Sequence, residues 1–180
     1  MSKRGVGQNR AEAENLARAD GFDVFPRLYD AGDEDMAILV ECVSPCSKSF
    51  KTASREFYHC LGCSPFKGWD YPTHLIADML ELVAKNAEDG YTFDETMEFI
   101  CSYMTDDRGW QKTADMVLSP MNPAQRVLSK LFKYVSDNSS KIDPADFAAL
   151  ENWGFAIREG QVVPIVLDAG FSPEVRDEYY

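Results

Sequence analysis

Asn152 and Asp168 are the residues whose types and spacing best suit chemistry. They bracket two apolar runs, Trp153–Ile157 and Val162–Leu167, joined at Glu159-Gly160. Glycine in the second turn position takes the positive φ of a tight hairpin turn. An amide before the first strand and an acid after the second then fall at one end of one hairpin. Two oxygen donors held there suit a hard cation such as Mg²⁺. The same residues suit an ordinary role as loop positions closing the hairpin.

Cys42, Cys46, Cys60 and Cys63 form a second constellation. Their C-x3-C and C-x2-C spacings are compatible with a four-thiolate zinc site, to which His59 could add a ligand. Cys42 also lies in the apolar run MAILVECV, where cysteine serves as a small buried hydrophobe. Cys101 makes the count five, and an odd count without a secretory leader pattern argues against a disulfide framework. Pairing His59 or His74 with Cys60 or Cys63 as a nucleophile has no supporting motif, and sequence neighbours rarely form such a pair.

The elements that must position these groups follow from periodicity. Residues 8–19 are alanine-rich helix material, with Asn9 and Glu12 placed as a capping box. Residues 22–29 are extended, and Met36–Val43 is a continuous apolar run that predicts a buried strand pairing with them. Ser44-Pro45 predicts a strand break. Residues 47–60 suit a helix or a long loop. Ile76, Met79, Leu80 and Val83 share one helical face after Thr73, and Asp89-Gly90 ends that helix. Thr92 with Glu95 opens the next, whose stripe is Phe93, Met97, Ile100, Cys101 and Met104. A weaker helix is predicted over 106–118. Asn122-Pro123 starts the strongest stripe, through Val127, Leu128, Leu131, Phe132 and Val135. Asp143-Pro144 starts one more short helix before the hairpin. Helices and strands are segregated, so the fold class is α+β.

In that order and on those residues, the chain resembles a reduced protein-kinase-like fold of the degenerate kind found in bacteria and their phages. Glu12 stands where such proteins carry the helix glutamate that pairs the nucleotide-binding lysine. Ile38-Leu39-Val40-Glu41 resembles the strand into the interlobe hinge. Residues 122–138 resemble the long central helix of the C-terminal lobe. Asn152-Trp153-Gly154 resembles the end of the catalytic loop, and Asp168-Ala169-Gly170 the metal-binding Asp-Phe-Gly turn. The resemblance implies a single domain over 1–180, with 1–43 a reduced N-lobe-like part (small helix plus β-hairpin). Residues 44–180 would be a reduced C-lobe-like part, a helical block followed by the C-terminal β-hairpin. Glu12, Asn152, Asp168 and Gly170 would be its vestigial site.

The Gly-rich phosphate loop, the strand lysine and the His-Arg-Asp motif have no counterpart. Phosphoryl transfer rests on positioning and charge neutralisation, so their loss implies a pseudokinase-like interaction protein rather than an enzyme. Its phage origin is implied by the resemblance, and its partner would be a host or virion protein. The alternative is an atypical metal-dependent phosphotransferase using Mg-ATP, with Asp143 or Asp146 as base. A net charge of −12 disfavours nucleic-acid binding, while leaving open an acidic mimic of nucleic acid. No apolar run is long enough to span a bilayer, so a cytoplasmic or virion-associated protein is expected.

Overall fold

The computed structural model describes residues 13–14, 16–19, 21–31, 38–65, 72–104 and 107–167, with 31 and 38 described by their backbone alone. The architecture is α+β. The described part of the N-terminal segment is helical through residue 18. Strands β1 (Leu28–Ala31) and β2 (Ile38–Val40) form a two-stranded antiparallel hairpin. A second antiparallel sheet has the order β3-β4-β5, from β3 (Ser44–Pro45), β4 (Trp153–Arg158) and β5 (Gln161–Val166). Among the described residues, five α-helices run between β3 and β4: α1 (Phe50–Leu61), α2 (Pro72–Glu88), α3 (Phe93–Tyr103), α4 (Arg108–Leu118) and α5 (Pro123–Asp137). Among the described residues no helix is long and apolar enough to cross a membrane.

The helix starts follow local chemistry. Thr92 and Glu95 close a capping box at α3, and Asn122 accepts from the Gln125 N–H with Pro123 in the first turn of α5. The predicted stripes face inward: Ile76, Met79, Leu80 and Val83 of α2 are buried, as are Val127, Leu128, Leu131, Phe132 and Val135 of α5. Gln125 is buried as well. Its Nε2 donates to the Leu61 carbonyl at 2.8 Å and its Oε1 accepts from the Met121 N–H at 2.8 Å, fastening the end of α1 to the start of α5.

Three expectations need correction. The buried strand over Met36–Val43 shrinks to β2, with Leu39 exposed and Cys42 beyond its end. A two-stranded ribbon has one face toward the core, so alternate residues meet water. The extended run at 22–29 becomes a strand only at Leu28; Asp23 takes a positive φ of 60° and Tyr134 of α5 packs edge-on against Phe22 and Phe25. Ser44-Pro45 pairs with β4 rather than breaking a strand. The Cys46 N–H donates to the Trp153 carbonyl, so by strand alternation the Pro45 nitrogen faces away from β4 and costs the ladder nothing. The short helix expected after Asp143 forms as a 3₁₀ helix, Pro144–Ala148, with Asp143 as its cap.

Glu159 and Gly160 both take positive φ, 52° and 74°, the geometry of the tight turn expected between β4 and β5. Pro164 is also harmless to its ladder. Val166 N donates outside the sheet to the Val24 carbonyl at 3.0 Å, so Pro164, two residues earlier, also faces its nitrogen outward.

Candidate functional site

The hairpin register brings its two ends together. Trp153 pairs with Val166, and the Leu167 N–H donates to the Asn152 carbonyl at 2.7 Å. Asp168 and Gly170, like Glu12, lie outside the described residues. Asn152 itself is committed to the fold. Its Nδ2 donates to the Asp146 carbonyl at 2.7 Å. Trp153 Nε1 donates to the Phe147 carbonyl at 2.7 Å, and Thr73 Oγ1 to the Ala148 carbonyl at 2.8 Å. Three side chains thus satisfy successive carbonyls of the 3₁₀ turn, whose buried Phe147 plugs the core.

The sheet face that carries Trp153 leads to a groove. Register places Trp153, Phe155 and Ile157 on one face with Val162, Pro164 and Val166. At the inner end, Phe57 of α1 meets Trp153 edge-to-face, ring centroids 5.0 Å apart. The helix does not reach the turn end, where Ile157 and Val162 remain exposed. An open groove of about 740 Å³ runs between them, with Pro45, Phe155 and Val162 on the sheet side and Glu56, His59 and Cys60 on the helix side.

Of the cysteines, Cys60 lines this groove and Cys46 lies close enough to Cys60 to feel its charge. Burial pushes the Cys46 thiol up to about 12, with Glu56 and Cys60 adding to the rise. Burial also raises Cys60, again helped by Glu56, and Cys63, where Lys112 opposes it. Such thiols stay protonated at neutral pH and are poor nucleophiles. Cys42 is exposed. Among the described residues no three of His, Cys, Asp and Glu converge in a group able to hold a metal ion.

The opposite sheet face carries Arg158, only 5 % exposed. Its Nη1 and Nη2 donate to Glu41 Oε1 and Oε2 at 2.8 and 2.7 Å, a two-pronged pair. Nη2 also reaches the Phe25 carbonyl at 3.4 Å, while Nε faces Asp23 Oδ1 at 3.6 Å. Glu41 also accepts from the Arg27 N–H. Hydrogen bonding from Arg158 holds the Glu41 carboxyl below the usual range against the opposing pull of burial. Glu41, just after β2, is therefore a tether between the two sheets. Arg158 has no distinctive signal beyond ending an apolar strand at the parity of Gly154 and Ala156. The apolar face that runs from buried Trp153 to exposed Ile157 is detectable in their odd spacing with Phe155.

No protein-family model, curated protein or solved structure matches the chain.

Proposed function

We propose that this chain is a non-catalytic, kinase-like interaction protein that binds a basic, partly apolar segment of a partner protein in the sheet groove. The partner is a host or virion protein, in keeping with the phage origin that the resemblance implies. The observation that carries this reading is the apolar row of Phe155, Ile157 and Val162, extending past the cover of α1 beside an open groove. Exposed apolar rows with polar rims are contact surfaces. Glu56 on the rim and the net charge of −12 favour a cationic ligand. The commitment of the Asn152 amide to the Asp146 carbonyl supports a structural role there, and protonated thiols favour binding over nucleophilic chemistry.

The test is selection of displayed random peptides on the intact protein at physiological salt. Peptides combining apolar residues with Lys or Arg should be enriched. Their affinity should fall about tenfold for Val162→Asp, with an unchanged melting temperature. Enriched peptides that bind the variant undiminished would remove the groove from the reading. Thermal stabilisation by Mg-ATP, with phosphate release abolished in Asp168→Ala, would replace it with the phosphotransferase alternative.

A further inference from the structure

A second groove, of about 510 Å³, lies between α2 and α3 and takes no part in the sheet surface. Glu95, Phe99 and Tyr103 recur at intervals of four along α3 and so stand in one row. Leu82 and Asn86 do the same on α2, and Tyr91 lies in the connection. The Phe99 and Tyr103 rings are stacked, centroids 5.1 Å apart and planes 27° apart. These rings are not core: Tyr91 is 58 %, Phe99 44 % and Tyr103 74 % exposed, while Met97 and Ile100 of the same helix are fully buried.

Two carboxylates frame the rings. Glu95 Oε2 accepts from both the N–H and the hydroxyl of Thr92 at 2.8 Å, which fixes the side chain and holds its carboxyl below the usual range. Glu98 also lines the groove. Aromatic faces are electron-rich, and with carboxylates beside them they attract a cation.

We propose that this groove receives an arginine side chain of a basic protein segment, its guanidinium lying flat on the Phe99–Tyr103 pair with its N–H groups turned to Glu98 and Glu95. Arginine fits better than the alternatives. Its planar, weakly hydrated group stacks on an open aromatic face and donates to carboxylates at its edge, whereas lysine carries a compact, strongly hydrated charge. A quaternary ammonium is held by an enclosing aromatic cage, and this groove is open on one side. The net charge of −12 concentrates cationic segments around the protein and speeds their encounter.

The experiment uses a fluorescein-labelled glycine–serine peptide carrying arginines, and the same peptide with citrulline or lysine in their place. Fluorescence anisotropy at physiological salt should give the arginine peptide about tenfold tighter binding than the citrulline one, with lysine between them. Phe99→Leu, which keeps apolar bulk but removes the ring, and Glu98→Gln should each weaken arginine-peptide binding about fivefold. Both residues are at the surface, and matching melting curves would certify the fold. Val162→Asp, in the sheet groove, is measured alongside, so the two grooves are read separately. Equal binding of arginine and citrulline peptides would overturn the proposal. So would variants at Phe99 and Glu98 that bind like the parent, since the attraction would then belong to the overall charge. A loss confined to Val162→Asp would move the peptide to the sheet and overturn it too.

Discussion

Thiol reactivity separates cysteines that look alike in the sequence. Cys46, with its pKa pushed up to about 12 by burial, has on the order of one thiolate in ten thousand at pH ~8. Cys42 is exposed on the loop after β2. Maleimide labelling of the folded protein, read by mass spectrometry, should modify Cys42 first and Cys46 last, with Cys46 released by denaturant. If Cys42, Cys46, Cys60 and Cys63 together held zinc, all would instead be protected until a chelator was added. Equal labelling of Cys42 and Cys46 in the native protein would show that burial does not govern them. Asn152 carries a related lesson. Its position at the hairpin's end is legible in the sequence, but the Asp146 carbonyl that takes its amide is not, because a backbone acceptor has no residue signature.

Elements were legible where their signals are local. The Thr92–Glu95 box, Asn122-Pro123, the α2 and α5 stripes and the Glu159-Gly160 turn each specify their own geometry within a few residues. Strands that depend on distant partners were not. Ser44-Pro45 becomes β3 because β4, about 110 residues later, supplies its ladder. That joint needs Gly154: a Cβ there would sit 2.8 Å from the Ser44 carbonyl oxygen and 2.7 Å from Leu167 Cδ2. The first contact is backbone, so β3 would have to shift. Gly154→Ala should therefore cost about 2 kcal/mol, lowering the melting temperature by roughly 4–8 °C in calorimetry. A melting temperature equal to the parent's would mean that β3 yields freely. The corresponding substitution at solvent-facing Ile157 should have little effect on stability.

At the scale of the whole molecule, Arg158 and Glu41 join parts of the chain 117 residues apart, a pairing no local pattern announces. Arg158→Met strands the Glu41 carboxylate and should cost about 3 kcal/mol in urea denaturation at neutral pH. The sign of the acid effect follows from the depressed Glu41 pKa. Its contribution is fully present above the ordinary carboxylate value of 4.5 and is lost as pH falls through the lower folded value. The parent should thus lose stability through that window, and Arg158→Met should show a flatter acid limb. Parallel curves for the two proteins would show that the pair is not the source. Pro164 acts at the same scale, outward from the molecule. Its imino nitrogen lies on the outer margin of β5, between exposed Val162 and the Val166 N–H that meets the Val24 carbonyl, where a ring stands in place of a donor. An extended chain adding there would meet no donor at Pro164, an interruption placed beside the exposed β-branched Ile157 and Val162.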